Sequence, residues 1–384
     1  MTNSSRINEI QPFHVMALLA RAKELEAEGK DIIHMEIGEP DFPTPKPIVD
    51  AGIKAISHGD VHYTPALGLP ALRSAIAEFY KTRYAVNVSP NRIVITPGAS
   101  GALMLALGVT MNEGDEVLLS DPGYPCNKNF VRFLSGKVRS ISVDATSGYQ
   151  LTLKHIQENW TTKTRAVIVA SPSNPTGTLL AKSELLAMAN FVASRGAYLI
   201  VDEIYHGLVY ESDIDTALSI DDNIIVINSF SKYFSMTGWR AGWLVAPDDL
   251  VDDIDKLAQN IFLAASTPAQ YAALAAFEPE TICILESYKE EFKQRRDYLL
   301  PKLKELGFKI EVAPQGAFYI YANCEKFSND SYQFTYDLLE NIGVAVTPGK
   351  DFGENKVNTF VRFAYTTSME RLEEGVKRLS TYLV

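Results

Sequence analysis

The sequence has few cysteines and no long apolar run. Cys126, Cys283 and Cys324 are scattered and odd in number, which suits neither a disulfide framework nor a zinc site and fits a reducing compartment. No apolar stretch approaches the roughly 18 residues that a membrane-spanning helix needs, and residues 1–10 lack the apolar core of a signal peptide. We therefore expect a soluble, unprocessed protein of the cytoplasm with no membrane partner.

Positive charge is also scarce. The chain has 36 Lys and Arg against 47 Asp and Glu, a formal net charge of -11, and no Lys/Arg-rich tract offsets this balance locally. Such a surface repels phosphate backbones, so we expect no nucleic-acid partner. The chain contains neither a Gly-x-Ser-x-Gly elbow nor a Gly-x-x-x-x-Gly-Lys phosphate loop, which argues against a hydrolase and against a P-loop enzyme.

What the chain does have is length and an α/β pattern. At 384 residues it exceeds what one compact core usually supports. We expect a large domain at 46–284 and a smaller α+β domain made of an N-terminal arm, 1–45, together with 285–384. Short β-branched runs alternate with helical stretches, which predicts a mostly parallel sheet flanked by helices. The predicted strands of the large domain are 92–96, 116–120, 138–143, 166–170, 198–201 and 224–228.

Polar residues follow several of these strands, at the sheet edge where open α/β sheets bind ligands. Ala99 and Ser100 lie in a Gly-rich turn whose backbone N–H groups suit an anion, although such a turn alone is more often a steric requirement. Asn174 stands between two prolines after a later strand, where it is equally an ordinary turn former. Asp202 ends a buried strand, and an isolated buried charge needs a partner.

The last of these strands leads into residues 229–232, Ser-Phe-Ser-Lys. A lone Ser-x-Ser-Lys is usually a solvated lysine, but here two hydroxyls and Arg240 are grouped around Lys232. Burial and cationic neighbours lower the pKa of a lysine and make it nucleophilic toward carbonyls. Together with an anion-binding turn, a buried carboxylate and an amide at one sheet edge, these groups are what pyridoxal 5′-phosphate (PLP) requires of a protein.

These residues resemble the class I/II aminotransferases of PLP fold type I, the aspartate aminotransferase-like family, along nearly the whole chain. One part of the resemblance is residues 173–177, Ser-Asn-Pro-Thr-Gly, followed by Asp202 with Tyr205. The other is Lys232 followed by residues 238–242, Gly-Trp-Arg-Ala-Gly, in the family's order and close to its spacing. The resemblance implies PLP as cofactor and a large domain with a seven-stranded, mostly parallel sheet.

By this resemblance the catalytic residues are Lys232, Asp202 and Tyr205. Lys232 is expected to hold PLP as a Schiff base and later to carry the proton between the amino-acid Cα and the cofactor. Asp202 is expected to keep the pyridine nitrogen protonated, and Tyr205 and Asn174 to contact the 3′ oxygen. The other cofactor-binding residues that the resemblance implies are Ala99, Ser100, Ser229, Ser231 and Arg240 for the phosphate, and Tyr124 for the pyridine face.

The resemblance implies three further residues, two at the substrate and one at the cofactor phosphate of the neighbouring subunit. Arg362 resembles the arginine that grips the α-carboxylate, with Gly38, Asn174 and Tyr124 beside it. Tyr63 resembles the tyrosine that reaches the phosphate of the neighbouring subunit, which implies a homodimer. Taken alone, an arginine on a strand is more often a surface residue.

The predicted function is transamination by a ping-pong route, from an L-amino acid to a 2-oxo acid, with 2-oxoglutarate as the expected acceptor. A PLP-dependent carbon–sulfur β-lyase uses the same cofactor residues and stays open as an alternative. A non-enzymatic PLP-binding regulatory homologue is the alternative from another class, and the presence of Lys232, Asp202 and Arg362 argues against it. Residues 100–111 contain no basic side chain for a distal carboxylate, which favours a neutral or aromatic amino donor.

Overall fold

The computed structural model describes residues 4–211 and 214–383. In this part of the chain there are eleven strands: β1 Ile33–Met35, β2 Ile93–Thr96, β3 Glu116–Asp121, β4 Lys137–Ser142, β5 Thr164–Ala170, β6 Tyr198–Asp202, β7 Ile225–Ser229, β8 Gly242–Val245, β9 Tyr319–Asn323, β10 Val344–Pro348 and β11 Phe360–Ala364.

The same residues form twelve α-helices, and none of these is long and apolar enough to cross a membrane. Their bounds are α1 His14–Ala27, α2 Lys46–His58, α3 Pro70–Tyr84, α4 Gly98–Thr110, α5 Pro125–Phe133, α6 Leu153–Asn159, α7 Lys182–Ser194, α8 Val251–Ile261, α9 Thr267–Leu274, α10 Pro279–Leu306, α11 Ser331–Ile342 and α12 Met369–Tyr382.

Seven strands form the larger sheet, in the order β2-β8-β7-β6-β5-β3-β4. All neighbours run parallel except β8, which pairs antiparallel with β2 and β7. Strand β7 is buried at every position, as expected for a sheet that is covered on both faces. The predicted α/β fold with a mostly parallel seven-stranded sheet is therefore confirmed. The sequence reasoning did not assign β8, because this four-residue strand follows directly on a Gly-Trp-Arg turn.

The two faces of this sheet carry separate apolar cores. Helix α4 is almost entirely apolar, so it has no polar face to turn outward and lies buried against β7 and β8. On that side Leu105 packs with Ile225 and Leu244. On the opposite face the rings of Phe230 and Trp243 lie 4.9 Å apart. Burial on both faces, worth about 25 cal/mol per Å² of apolar surface, holds the strand ends in fixed positions.

The smaller sheet has the order β1-β10-β11-β9. Its strand β1 comes from near the start of the chain and pairs parallel with β10, with Ile33 opposite Val344. The arm thus joins the C-terminal part, as the sequence suggested. The domain boundaries at 45/46 and 284/285 stay predictions, the second falls inside α10, and residues 1–3 and 384 of the predicted small domain lie outside the described part of the chain.

The carboxyl ends of the main strands meet at one edge of the larger sheet. Strand β2 runs in the same direction as β7, because both are antiparallel to β8. The register places Ala170 beside Asp202, and Asp202 beside Ile227. The loops that follow these strands therefore converge at this edge, which is where a ligand site is expected in an open α/β sheet.

Candidate active site

Lys232 lies in the loop after β7, and its amine points toward the smaller sheet. The Nζ donates a 2.6 Å hydrogen bond to the carbonyl oxygen of Gly38. Burial lowers the pKa of Lys232 to about 8, and the guanidinium groups of Arg362 and Arg240 act in the same direction. About a tenth of this amine is therefore unprotonated at pH 7, and the unprotonated form is the one that attacks a carbonyl carbon.

Asp202 is the last residue of β6 and is only 6% exposed. Its Oδ1 accepts a 3.0 Å hydrogen bond from the backbone N–H of Ile204. Burial raises the pKa of Asp202 to about 6, against the opposing effects of the Ile204 N–H and of Lys232. A carboxylate in this position gains free energy from any cation that is brought to it, because it has lost most of its hydration.

Two buried tyrosines meet beside the lysine. The hydroxyl of Tyr205, from the loop after β6, lies 2.9 Å from the hydroxyl of Tyr319, the first residue of β9. Burial raises the pKa of both phenols, so both stay protonated and able to donate. Gly38 packs tightly against this pair, since a Cβ added to it would lie 2.1 Å from the Tyr319 hydroxyl.

Arg362, in the middle of β11, is a buried cation that makes no ion pair with any carboxylate in the described residues. It is 4% exposed, and its Nη1 donates to Asn174 Oδ1 at 2.9 Å. Its Nη2 donates to the Glu36 carbonyl at 2.7 Å and to Thr347 Oγ1 at 3.2 Å, while its Nε has no partner. The guanidinium is thus held in one orientation with its charge uncompensated, which suits a carboxylate ligand.

The Gly-rich segment after β2 differs in one respect from its prediction. It does not form a turn ahead of a helix, since α4 begins at Gly98 and places Ala99 and Ser100 in the helix's first turn. The N-cap residue, Pro97, makes no side-chain capping bond. Small residues without a competing cap let the helix start earlier than the pattern suggested. The free N–H groups of this turn are suited to an anion.

Arg240 and two serines complete the anion-binding end. A Cβ added to Gly98 would lie 2.6 Å from Arg240 Nη2, so only glycine admits the guanidinium so close to the helix start. Ser229 Oγ lies 2.9 Å from Ser231 Oγ, and both side chains are buried. Hydroxyls, a guanidinium and a helix N-terminus together provide the donors that a phosphate group requires.

Twelve of the thirteen predicted site residues line one cavity of about 330 Å³. They are Gly38, Ala99, Ser100, Tyr124, Asn174, Asp202, Tyr205, Ser229, Ser231, Lys232, Arg240 and Arg362. Tyr63 is not among the lining residues, and its side chain is 83% exposed. The structure of this chain therefore brings the predicted residues together with this single exception.

Sequence reasoning missed other residues that line the cavity, namely Phe13, Val15, Met16, Leu19, Ile37, Glu39, Leu103, Ala170, Ile204, Thr237 and Tyr319. Val15 and Leu19 belong to α1, and the spacing of apolar residues in such a helix shows only which residues share a face. Nothing in the sequence indicates that this face covers a cavity. Tyr319 is the first residue of β9 and belongs to no motif.

The cavity's charges fit PLP. The donors at the start of α4 and at Arg240 suit the phosphate, the buried Asp202 carboxylate suits a protonated pyridine nitrogen, and the Lys232 amine suits the aldehyde. Arg362 remains for the carboxylate of an amino acid. Fold and site together define an enzyme of the PLP-dependent, fold type I class.

Comparison with known proteins identifies the family. Residues 30–379 match the family described as aminotransferase class I and II, and the chain belongs to it. It is 42% identical to the (5-formylfuran-3-yl)methyl phosphate transaminase of Methanocaldococcus jannaschii over 383 residues, 99% of each chain. It is 35% identical to the aspartate aminotransferase of Thermotoga maritima, again over 99% of each chain. An aminotransferase structure from Mycobacterium tuberculosis superposes with a TM-score of 0.97 at 35% identity, covering 100% of this chain and 99% of that one.

The predicted class is confirmed by these comparisons. The chain is a PLP-dependent aminotransferase, aspartate aminotransferase-like in sequence and fold, and PLP is the cofactor of its family. The roles of the individual site residues stay predictions. The two named relatives differ in the substrates that their names give, so family membership does not determine the amino donor.

Proposed function

We propose that this enzyme moves the amino group of an L-amino acid to a 2-oxo acid in two half-reactions at one cavity, with 2-oxoglutarate as the acceptor to test first. One observation carries the proposal: Lys232 and the unpaired Arg362 line the same cavity as Asp202. An amine, a carboxylate-binding fork and a buried carboxylate are thus available to one bound amino acid.

Lys232 has two proposed tasks, to anchor the cofactor and to move a proton. When bound, PLP supplies an electron-accepting ring for the electron pair left on Cα when its proton is removed. The Lys232 amine, when free, would accept the Cα proton and deliver it to the cofactor carbon C4′. Burial, which lowers the pKa of this amine to about 8, keeps a useful fraction of it in the base form.

The other predicted residues hold the cofactor and the substrate in place and set the charge of the cofactor ring. Asp202 keeps a proton on the ring nitrogen, since its buried carboxylate is stabilised by the resulting cation. Asn174 and Tyr205 donate to the 3′ oxygen, Tyr124 packs on the ring, and Arg362 with Gly38 orients the substrate carboxylate. The phosphate ligands proposed are Ala99, Ser100, Ser229, Ser231 and Arg240.

A homodimer is part of the proposal. Tyr63 is 83% exposed, and Val61 and Leu263 nearby are 52% and 53% exposed. The segments that carry them are joined by the hydrogen bond from Thr267 Oγ1 to the His62 carbonyl. Exposed apolar side chains on adjoining segments are typical of an interface, and Tyr63 would reach the phosphate site of the second subunit there.

The test is incubation of the PLP-loaded enzyme with a panel of amino acids and 2-oxoglutarate. The expected result is one glutamate for each keto acid formed. Pyruvate and ammonia formed without any acceptor would instead establish the β-lyase reaction. Lys232→Ala, checked for a normal fold by circular dichroism, serves as the inactive control, and turnover by this variant would refute the proposed role of Lys232.

A further inference from the structure

The cavity has few charges, and most have a proposed task. Among the described residues that line it, the cations are Lys232, Arg240 and Arg362, and the carboxylates are Glu39 and Asp202. In the proposed function the three cations serve the cofactor's aldehyde, its phosphate and the substrate's α-carboxylate. Within this subunit no fourth cation lies on the described lining to receive a second carboxylate, and the exposed carboxylate of Glu39 would repel one.

One wall of the cavity is apolar and is formed by the start of α1. Val15 and Leu19 are four residues apart, so they share one face of this helix, and Phe13 precedes it directly. Ile37 and Leu103 line the same cavity. These side chains provide aliphatic and aromatic surface, with no hydrogen-bonding group for a polar substrate side chain.

This wall is held in place by a buried carboxylate. Asp351, which is 4% exposed, accepts the N–H of His14 on Oδ1 and the N–H of Val15 on Oδ2, both at 2.8 Å. These N–H groups belong to the first turn of the helix, where they lack partners within the helix. The next residue, Phe352, has its ring 4.9 Å from the Arg362 guanidinium. One segment therefore positions both the apolar wall and the carboxylate-binding arginine.

Resting on the proposed function, we infer that the amino donor carries a large, uncharged, apolar side chain, which packs against Phe13, Val15 and Leu19. A second carboxylate on the donor would lose hydration beside these side chains without gaining a cation. We expect apolar donors to exceed aspartate and glutamate at least about tenfold in kcat/KM, since a single methylene in an apolar pocket already changes this ratio about 10- to 200-fold.

The inference extends to the acceptor, which enters the same cavity. The distal carboxylate of 2-oxoglutarate meets the same apolar wall, so we expect a higher KM for it than for a 2-oxo acid with an uncharged side chain, such as 4-methyl-2-oxopentanoate. Both acids are expected to react, because the 2-oxo acid group itself binds at Arg362.

Two measurements on the PLP-loaded enzyme test the inference. The first is the rate of the donor half-reaction, followed by the absorbance of the cofactor, with phenylalanine, leucine, aspartate and glutamate. The second is the melting-temperature shift produced by two inert acids, 3-phenylpropionate and succinate, which needs no turnover. The inference expects phenylalanine and leucine to react faster and 3-phenylpropionate to stabilise more. Equal or better results with aspartate and succinate would overturn it.

Variants of the wall sharpen the test. Leu19→Arg should lower kcat/KM for phenylalanine about tenfold or more and raise kcat/KM for aspartate. Leu19→Ala should lower kcat/KM for phenylalanine and leave that for aspartate unchanged. Leu186→Arg is the matched control, because Leu186 is 46% exposed on α7 and does not line the cavity. No change in the phenylalanine-to-aspartate ratio in either Leu19 variant would overturn the inference.

The outcomes separate this inference from the proposed function. If amino transfer proceeds best from aspartate, the inference of an apolar donor is contradicted and the proposed amino transfer still holds. Preferential stabilisation by 3-phenylpropionate, with no transfer from any donor, supports the apolar wall and refutes the transfer.

Discussion

The guanidinium of Arg362 donates to the side-chain oxygen of Asn174 at 2.9 Å and joins strand β11 of the smaller sheet to the loop after β5 of the larger one. The two residues are 188 positions apart in the chain. Because Arg362 also donates to the Glu36 carbonyl and to Thr347, its planar fork is oriented before any substrate binds. Orientation of this kind lowers the entropy cost of positioning a carboxylate.

Arg362→Lys tests the planar fork. Lysine keeps the charge but cannot make two parallel hydrogen bonds, so we expect kcat/KM for the amino donor to fall on the order of 10- to 100-fold. The absorbance of the bound cofactor should not change. Arg195→Lys, at an exposed position on the larger domain, is the control. An unchanged kcat/KM in Arg362→Lys would rule out a bidentate contact with the substrate.

Asp202 should make the stability of the cofactor-free protein depend on pH. Burial raises its pKa from 3.8 to about 6, so the native state binds more protons than the unfolded state between these values. Stability is therefore lost as pH rises from about 4 to 6. Asp202→Asn removes this loss and should be more stable than the wild type above pH 6, by roughly 3 kcal/mol at most.

Urea unfolding at pH 5 and pH 8 measures this difference. The gain in the Asn variant should be larger at pH 8 than at pH 5, and the exposed Asp60→Asn should show no such dependence. If PLP is then added, the wild type should become more stable than Asp202→Asn, because the cofactor's ring nitrogen gives the Asp202 carboxylate a cationic partner. The same gain at both pH values would contradict the raised pKa.

Lys232 should be an unusually reactive amine in the cofactor-free protein. Burial lowers its pKa to about 8. The rate of its modification by a small amine-reactive reagent should therefore rise with pH, with a midpoint near pH 8. Peptide mass spectrometry across a pH series follows the reaction, with the 80% exposed Lys154 as reference. The same pH dependence of modification at Lys232 and at Lys154 would argue against the lowered pKa of Lys232.

Gly98→Ala separates cofactor binding from backbone strain. Gly98 has a φ of +69°, and an added Cβ would lie 2.6 Å from Arg240 Nη2. We expect a loss of stability of about 1–2 kcal/mol from the left-handed backbone and, in addition, at least about tenfold weaker PLP binding from displacement of Arg240.

The matched control for this variant is Gly114→Ala. Gly114 has a φ of +80°, but nothing lies within 4 Å of an added Cβ. It should lose similar stability and keep its affinity for PLP, as measured by cofactor titration and by urea unfolding. Equal PLP affinity in the two variants would contradict the role of Arg240 as a phosphate ligand.

Mixed dimers test whether Tyr63 acts across the interface. We expect Tyr63→Ala to weaken PLP binding at both sites of a homodimer and Lys232→Ala to abolish activity. A dimer with one subunit of each kind has one site that combines an intact Lys232 with an intact Tyr63 from the other subunit. It should therefore recover about half of the wild-type activity per dimer, whereas a Tyr63 acting within its own subunit would give no such recovery.

Much of the site could be predicted because its signals are local. Residues that bind at the edge of a parallel sheet must follow the strands, so Asn174, Asp202 and Lys232 could be located from short β-branched runs and the polar residues after them. The order of these motifs then indicated the family. The start of α4 could not be located to the residue, since small apolar residues are compatible with either a turn or a helix.

By itself, the sequence determined the α/β class and the cofactor, and it predicted the groups that would bind the cofactor, because strand pattern and motif spacing are properties of neighbouring residues. Only the tertiary structure decided what surrounds the substrate. The Tyr205–Tyr319 pair and the Asp351 carboxylate that holds α1 each join residues more than a hundred positions apart. The apolar wall of Phe13, Val15 and Leu19 lines one cavity with residues from distant parts of the chain, such as Lys232 and Arg362. Such contacts depend on how the two sheets pack against each other, and no local pattern in the chain encodes that packing.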